Sequence, residues 1–276
     1  MTTVTLVTGA GGAMGSACAL ALAPKVDVMM LTDLDEARLA AAASRIENAT
    51  VCAVVGDVGE PTFVAELAAR AESFGDLHAL VHTAGLSPSM AGWREILRVD
   101  LVAVARLLDS FLPLVVPGSA AVCLASVSGH MGQFDPALDA VLDDPLAADL
   151  EPRYQTLAGE APEPGATYRW AKRAVIRLCE RAAVAWGTNG GRVVSLSPGL
   201  IDTEMGRLEL MHNPIKTWMS EITPVGGKRR GDTVLPGRTE DIANTVAFLC
   251  SERAQFVSGC DIRVDGGLIA AMNNQP

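Results

Sequence analysis

The sequence predicts an α/β fold in which one doubly wound parallel sheet of about seven strands carries helices on both faces. Short runs of aliphatic and β-branched residues alternate along the chain with longer segments whose apolar residues recur at helical spacing. The runs are apolar throughout, which indicates strands that are buried on both faces, as in a parallel sheet. No internal repeat or linker divides the 276 residues, so we expect a single domain over 1–276.

The predicted strands are short and regularly spaced. In chain order they are residues 4–8, 26–32, 51–55, 79–83, 120–126, 192–197 and 260–264. Helical patterns lie between them, and 35–47 and 61–74 are clear examples. In this kind of alternation each strand connects to the next through a right-handed helical crossover.

Two regions break the alternation. Residues 133–166 hold five prolines and eight acidic residues against a single basic residue, Arg153. An insertion of this length inside a compact domain is usually functional or disordered. Residues 204–237 mix apolar side chains with a Gly/Arg-rich end, and we interpret this region as a lid over a substrate.

The composition argues against several classes of function. The formal net charge is −10 and the longest basic run is KRR at 228–230, which is unlike a protein that binds nucleic acids or anionic membranes. Asp, Pro and Gly interrupt the long apolar stretches, so no membrane-spanning helix is expected. The six cysteines lack C-x-x-C spacing, which is typical of reduced thiols in a cytoplasmic protein and gives no sign of a metal. We therefore expect a cytoplasmic protein whose ligand is a small molecule.

A glycine-rich turn lies directly between the first predicted strand and a helix. Its sequence is TGAGGAMG, from Thr8 to Gly15. Glycine lets the backbone approach a pyrophosphate, and the helix N-terminus offers N–H donors and the positive end of its dipole. A tight turn without a ligand is the alternative, and the next strand favours the phosphate site.

The second predicted strand ends in Asp33, which lies 24 positions after Gly9. A carboxylate here can accept hydrogen bonds from both hydroxyls of an adenosine ribose, and it would repel a 2′-phosphate. Leu34 follows it, and the glycine-rich turn has no basic residue, although Arg38 would soften the repulsion. The pattern favours NAD over NADP. Asp33 could instead cap the next helix, a role that Asp35 fits better.

Tyr168 and Lys172 lie four residues apart in a segment with a helical pattern, so their side chains share one face. An ammonium beside a phenol favours the phenolate and lowers the pKa of the tyrosine, which suits general acid–base catalysis. Such pairs also occur by chance on helix surfaces. Ser126 ends the fifth predicted strand and places a hydroxyl at the carboxyl edge of the sheet, where open α/β folds bind ligands.

In this order the segments resemble the short-chain dehydrogenase/reductase family over nearly the whole chain, which implies a Rossmann-type fold. The family's glycine-rich turn resembles residues 8–15, with Ala13 in place of the middle glycine, and its Tyr-x-x-x-Lys pair matches Tyr168 and Lys172. The resemblance implies that Tyr168 is the acid/base, that Lys172 tunes it and holds the nicotinamide ribose, and that Ser126 binds the substrate oxygen. Besides Tyr168 and Lys172, the implied cofactor-binding residues are Thr8, Gly9, Gly12, Ala13, Met14, Gly15, Asp33, Leu34, Asp57, Val58, Thr83, Ala84, Gly85, Pro198, Gly199, Ile201 and Thr203.

Two substitutions depart from the family pattern. Asp100 stands where the family has an active-site asparagine, and an ionised carboxylate can accept but not donate a hydrogen bond. We include Asp100 among the catalytic candidates because, near Lys172, it would raise the pKa of the lysine and shift the proton relay; a merely solvated side chain is the alternative. His82 and Thr83 replace two asparagines, and we expect them to weaken a hydrogen bond between strands. His82 itself fits a strand end better than a catalytic role.

A third departure is the insertion at 133–166, since most members join Ser126 and Tyr168 through a short loop. The branch of bacterial 3α-hydroxysteroid dehydrogenase/carbonyl reductases has a similar insertion. Family members often form tetramers through the helix that begins at Tyr168, which implies a homodimer or homotetramer here. We expect the insertion to alter that interface and to cover one side of the substrate mouth; an exposed, mobile excursion is the alternative.

The resemblance implies an NAD-dependent oxidoreductase that interconverts a secondary alcohol and a ketone. The apolar side chains of the lid favour a lipophilic substrate such as a steroid or terpenoid, because methionine adapts to irregular shapes. These apolar side chains could instead pack a helix onto the core. A charged substrate is a further alternative, because Arg207, Lys216 and the KRR run are positively charged. The substrate-pocket candidates are Ser87, Ser128, Met131, Leu200, Met205, Leu208, Met211 and Trp218.

Two other functions remain open on the sequence. A regulatory protein that senses NAD and has lost catalysis would explain Asp100 and Ala13, although Ser126, Tyr168 and Lys172 argue against it. An epimerase or dehydratase of the related extended branch would usually carry a larger C-terminal substrate domain.

Overall fold

The computed structural model describes residues 2–226 and 234–274. In these ranges seven parallel strands form one sheet in the order β3-β2-β1-β4-β5-β6-β7. The strands are β1 (Thr3–Thr8), β2 (Val28–Asp33), β3 (Thr50–Val55), β4 (Asp76–His82), β5 (Ala120–Leu124), β6 (Arg192–Pro198) and β7 (Cys260–Val264). Each overlaps one of the predicted segments, so the predicted doubly wound sheet is confirmed.

Helices cover both faces of the sheet. They are α1 (Ala13–Leu22), α2 (Glu36–Ala43), α3 (Pro61–Phe74), α4 (Trp93–Leu97), α5 (Ala103–Phe111), α6 (Pro136–Leu142), α7 (Leu150–Ala158), α8 (Pro164–Thr188), α9 (Glu204–His212), α10 (Pro214–Ile222), α11 (Thr239–Leu249) and α12 (Leu268–Asn273). The apolar faces of α1, α2 and α11 pack on one side of the sheet, and those of α3, α4, α5 and α8 pack on the other. Successive strand side chains point to opposite faces, so Ala121 and Cys123 join one core while Val122 and Leu124 join the other.

The strand order reverses between β1 and β4, which are neighbours in the sheet. Open α/β folds bind ligands outside the carboxyl ends of the strands at such a reversal. At this end His82 Nδ1 lies 2.8 Å from Thr8 Oγ1, and Thr83 Oγ1 donates to the Thr8 carbonyl at 2.7 Å. Both replacement side chains, His82 and Thr83, therefore form hydrogen bonds across this pair of strands.

Gly9 brings the two loops of this edge together. Its φ is +64°, a left-handed conformation that favours glycine, and a Cβ there would lie 2.6 Å from the Ala84 nitrogen. The loop after β1 therefore lies directly against the loop after β4. Any larger residue at position 9 would push the two loops apart.

The insertion folds into helices rather than a loop. Asp135 caps α6 by accepting from the Ala137 nitrogen at 2.8 Å, and Leu138, Val141, Leu142, Leu150 and Tyr154 join the core under α8. The Tyr154 hydroxyl donates to Thr167 Oγ1 at 2.9 Å, and its ring lies 5.9 Å from the Trp93 ring, centroid to centroid. The insertion is thus an ordered part of the domain and not an exposed excursion.

The acidic residues of the insertion meet a row of arginines on α8. Arg173 forms a two-point contact with Asp139, with both nitrogen–oxygen distances at 2.8 Å. Arg177 and Arg181, one and two turns further, both contact Asp143, with Arg177 Nε at 2.9 Å and Arg181 Nη1 at 2.6 Å from Oδ1. Two of the eight acidic residues of the insertion, Asp139 and Asp143, are thus paired with this helix face.

The lid region begins with α9 and α10 after β6. Met219 and Leu200 pack with Leu268 and Ile269 in a small separate core, so part of the lid is anchored to the C-terminal helix. Glu209 of α9 and Lys216 of α10 form an ion pair of 3.1 Å. The KRR run and the rest of 227–233 lie outside the described residues.

Among the residues that the structure describes, no helix combines the length and the apolar character needed to cross a bilayer.

Candidate active site

A cleft of about 1350 Å³ opens at the carboxyl edge of the sheet, where the loops after β1 and β4 meet. Fifteen of the predicted ligand-binding residues line it. They are Gly9, Gly12, Ala13, Met14, Gly15, Asp33, Leu34, Asp57, Val58, Thr83, Ala84, Gly85, Thr203, Met205 and Leu208. The sequence pattern therefore brings the glycine-rich turn, the end of β2 and the start of the lid to one continuous surface.

Asp33 is held in place by the backbone around it. Its Oδ2 accepts from the Gly11 nitrogen at 2.9 Å and its Oδ1 accepts from the Asp35 nitrogen at 3.0 Å. Since each carboxylate oxygen has two lone pairs, both oxygens can accept a further hydrogen bond from a ligand. Asp35 caps α2 as predicted, because its side chain accepts from the Arg38 nitrogen.

The Arg38 guanidinium near Asp33 is already engaged by acidic groups. Its Nη2 lies 3.0 Å from Glu204 Oε2, and its Nε lies 3.5 Å from Asp35 Oδ2. Glu204 is the first residue of α9, so this contact joins the wall of the cleft to the lid. The sequence does not reveal it, since the two residues are 166 positions apart.

Arg98 is a second residue of the cleft wall that the sequence did not predict. Its Nη2 lies 2.8 Å from Asp57 Oδ2 and 2.9 Å from Glu95 Oε2, and the side chain lines the cleft. The only signal in the sequence is its position two residues before Asp100. Arg98 fixes the Asp57 carboxylate at the wall of the cleft.

The three proton-transfer candidates come together beside the end of β5. The Ser126 hydroxyl begins a 3₁₀ turn by accepting from the Ser128 nitrogen at 3.1 Å, and it lies near enough to the Tyr168 phenol to lower the pKa of that phenol. Lys172 Nζ donates to the Leu124 carbonyl at 3.3 Å and lies 5.6 Å from the centre of the Tyr168 ring. One strand end and one helix face thus hold all three groups.

Asp100 lies beside this group and is fully buried. Its Oδ1 lies 3.3 Å from Lys172 Nζ and accepts from the Leu86 nitrogen at 3.0 Å. It is part of a π-helical turn, Arg98–Val102, between α4 and α5, a type of turn that is frequent at functional sites. The alternative of a solvated Asp100 is therefore wrong, since the side chain is 0% exposed.

The pKa of Tyr168 is displaced in the opposite direction from the sequence-based expectation. Burial of the phenol raises its pKa, and the negative charges of Asp100 and Glu209 raise it further, whereas the hydrogen bond from Ser126 lowers it. The lowering of the Tyr168 pKa that was expected from Lys172 is not found, because the Asp100 carboxylate lies against the Lys172 ammonium. Glu209 had no signal in the sequence that linked it to Tyr168.

Several predicted residues lie elsewhere. Gly199, Leu200 and Ile201 border a second cavity of about 560 Å³ on the other side of the β6 end. Met211 and Trp218 are 73% and 39% exposed, and the described lining of the main cleft does not include them. Thr8, Ser87, Ser128, Met131 and Pro198 are buried or partly buried, and the described lining of the main cleft does not include them. It does not include the catalytic candidates Ser126, Tyr168, Lys172 and Asp100 either.

Two protein-family models match this chain. The family model described as short chain dehydrogenase matches residues 3–137, and the model described as enoyl-(acyl carrier protein) reductase matches residues 156–269. The chain belongs to the short-chain dehydrogenase/reductase family. The unmatched residues between the two segments, 138–155, fall inside the insertion and include most of α6 and all but the end of α7.

Short-chain dehydrogenases from several bacteria are similar along most of their length. The chain is 27% identical to a 3-alpha-hydroxysteroid dehydrogenase/carbonyl reductase of Comamonas testosteroni, over 85% of this chain and 93% of the relative. It is 29% identical to a cis-4-hydroxycyclohexanecarboxylate dehydrogenase of Sinomonas cyclohexanicum, over 97% and 96% of the two chains. A solved short-chain type dehydrogenase/reductase from Mycobacterium ulcerans shares the fold, with a TM-score of 0.76 at 23% identity over 97% and 90%.

Enzymes of the short-chain dehydrogenase family are oxidoreductases that use NAD or NADP on small-molecule substrates, and the cleft fits such a dinucleotide. A Cβ at Gly15 would lie 2.2 Å from the Gly9 carbonyl oxygen, so the turn needs glycine to form its narrow phosphate-binding backbone. At the opposite end, a Cβ at Gly85 would lie 2.6 Å from Asp100 Oδ1. The cleft therefore runs from the Asp33 carboxylate to Gly85, which lies against Asp100 and Lys172. The side chains of Ser126, Tyr168, Lys172 and Asp100 lie behind Gly85 and are not part of the described lining.

Proposed function

We propose that this protein is an NAD-dependent dehydrogenase that interconverts a secondary alcohol and a ketone. The observation that carries the proposal is the placement of the Ser126 hydroxyl, the Tyr168 phenol and the Lys172 ammonium within one group behind Gly85, which lines a dinucleotide-sized cleft. A hydroxyl beside a phenol can bind one substrate oxygen between them.

The proposed mechanism assigns one step to each side chain. A bound nicotinamide supplies the hydride chemistry. In reduction, the Tyr168 phenol donates its proton to the ketone oxygen while the Ser126 hydroxyl donates a hydrogen bond to the same atom. In oxidation, the Tyr168 phenolate accepts the alcohol proton. Lys172 orients the ribose and sets the charge beside the phenol.

We propose NAD as the cofactor on the basis of Asp33 and its surroundings. The carboxylate is fixed by two backbone N–H groups and faces the cleft, so a 2′-phosphate would meet its negative charge. The nearest compensating cation, Arg38, contacts Glu204 and Asp35. NADP binding would have to break these contacts as well as approach Asp33.

We propose a lipophilic secondary alcohol, such as a steroid or terpenoid, as the substrate. Met205 and Leu208 supply an apolar wall of the cleft next to the lid. Relatives named for a 3α-hydroxysteroid, a hydroxycyclohexanecarboxylate and cyclohexanol support a cyclic alcohol. We also propose a homodimer or homotetramer, on the family resemblance.

The test is an assay of NADH or NADPH formation over a panel of secondary alcohols, with open-chain and cyclic members and with both cofactors. Turnover of a cyclic apolar alcohol with NAD is expected, and Tyr168→Phe should lower it at least about 100-fold, the usual contribution of a positioned acid/base. Calorimetric binding of NADH to Tyr168→Phe serves as the control and should be retained. Tight NADH binding without turnover of any substrate would instead support an NAD-sensing regulatory protein.

A further inference from the structure

Asp100 and Lys172 form a buried ion pair that is built into the fold. Lys172 is 6% exposed and Asp100 is 0% exposed, and their 3.3 Å contact joins α8 to the π-helical turn. Asp100 Oδ1 also accepts from the Leu86 nitrogen, so the carboxylate is fixed from two sides. Gly85 leaves the space for it, because any side chain there would collide with Oδ1.

The net charge of this pair does not depend on where its shared proton lies. An ammonium beside a carboxylate and a neutral amine beside a carboxylic acid both hold the same number of protons and sum to zero. Burial raises the pKa of Asp100, while the charge of Lys172 and the hydrogen bond from the Leu86 nitrogen lower it. A neutral amide at position 100 would leave Lys172 with a full positive charge beside the phenol.

The other charged groups near Tyr168 do not replace the missing positive charge. Glu209 faces it from α9 and carries a negative charge, partly matched by Lys216. His82 faces Lys172 from the end of β4, and its pKa is lowered to about 3 by burial and then by Lys172, so it is neutral. Asp100 lies on the π-helical turn, and α8 itself contributes Lys172.

We infer that Asp100 is a positioning residue whose carboxylate cancels the charge of Lys172, so that the Tyr168 phenol keeps its proton at neutral pH. This inference rests on the proposed role of Tyr168 as acid/base. In reduction, a bound reduced nicotinamide would supply the hydride to the ketone carbon, the Tyr168 phenol would give its proton to the ketone oxygen, and water would return a proton to the phenolate. Oxidation needs the phenolate beforehand, and the neutral pair does not stabilise it.

The chain offers a direct readout that needs neither cofactor nor turnover, because it contains only two tyrosines. In a Tyr154→Phe background, the near-ultraviolet phenolate absorbance reports Tyr168 alone. We expect its titration midpoint to lie above the ordinary value of about 10. Asp100→Asn should lower the midpoint by about 1–3 units, the usual effect of an unpaired neighbouring cation.

Kinetics give the second readout. Each unit by which the midpoint falls raises the phenolate fraction at neutral pH about tenfold. Asp100→Asn should therefore increase kcat/KM for alcohol oxidation, by less than that factor because a phenolate of lower pKa is also a weaker base. The acidic limb of the pH profile of oxidation should move to lower pH by the same interval as the midpoint.

The matched control is Asp261→Asn, which removes a largely buried carboxylate that pairs with His130 at 2.8 Å, away from Lys172. It should leave the Tyr168 midpoint unchanged. The inference fails if Asp100→Asn also leaves the midpoint unchanged while circular dichroism shows a folded protein. If Asp100→Asn does not fold, a Tyr168 midpoint below about 10 in the Tyr154→Phe protein overturns the inference. Absence of turnover with the expected midpoint shift would refute the proposed function only.

Discussion

His82 shows how the burial of one side chain links stability to pH. It is almost fully buried, its Nδ1 contacts Thr8 Oγ1, and its Nε2 has no hydrogen-bond partner among the described residues. Burial, followed by the charge of Lys172, lowers its pKa to about 3. The folded protein therefore holds this imidazole neutral over a range in which an unfolded chain would protonate it.

We expect the buried, neutral His82 to make the protein less stable as the pH is lowered. The unfolded state binds a proton below the ordinary histidine pKa of about 6.5 and the folded state does not, so the free energy of unfolding falls as pH drops from about 6.5 towards 3. The contribution is about 1.4 kcal/mol per pH unit in that window and is fully present above about pH 6.5. Urea unfolding of the wild type and of His82→Asn at several pH values checks this. An equal slope in both proteins would contradict the expectation.

At the residue scale, the sequence predicted positions better than electrostatic states. Asp33 and Asp35 have local signals, since a strand end and a helix start are both visible in the sequence. The pKa of Tyr168 was predicted in the wrong direction, because it depends on Asp100 and Glu209 as well as on Lys172. Those groups reach Tyr168 only through the fold, 68 and 41 positions away in the chain.

At the scale of elements, the insertion is the main surprise. Its prolines and acidic residues suggested a loop, yet two of the prolines begin helices, Pro136 at the start of α6 and Pro164 at the start of α8. Two of its acidic residues, Asp139 and Asp143, have arginine partners on α8, 34 positions away in the chain. The sequence contains both the acidic residues and the arginines, but which of them pair becomes clear only when the insertion is packed against α8.

We expect the insertion to contribute to the stability of the whole domain through Tyr154. Tyr154→Ala should lower the free energy of unfolding by about 3–5 kcal/mol, because it empties a fully buried aromatic site between α4, α7 and α8. Tyr154→Phe, which loses only the hydrogen bond to Thr167, should cost about 1 kcal/mol. Denaturant titration of both variants measures this. A loss below about 1 kcal/mol in Tyr154→Ala would mean that the insertion is only loosely attached.

At the scale of the whole molecule, the insertion bears on assembly. It packs over the face of α8 that carries Arg173, Arg177 and Arg181. The helix α8 carries Tyr168 and is the helix through which family members often associate. We therefore expect a dimer rather than a tetramer in light scattering of the intact protein. Arg177→Glu, which repels Asp143, should loosen this cover and change the assembly state. A wild-type tetramer would contradict the expectation, and Arg207→Glu on the lid is the control for a charge change alone.

The overall architecture was the most predictable level, because strand and helix periodicity is repeated many times along the chain. All seven strands and the site at the carboxyl edge follow from that pattern. The lid is less regular, and the exposed positions of Met211 and Trp218 show that apolar composition alone does not identify a pocket wall.

The α6–α8 region also has a consequence for the order of folding. Its ion pairs and the Tyr154 hydrogen bond join residues 13 to 38 positions apart, whereas the β1–β4 contact at Thr8 and His82 spans 74. Closing a short loop costs less chain entropy than closing a long one, so contacts of low sequence separation can form early. Residues 136–188 are therefore a unit that can assemble before the sheet is complete. Pulse-labelled hydrogen exchange during refolding would then show protected amides in α8 ahead of those in β1, so that the helix carrying Tyr168 acquires its shape before the cleft exists.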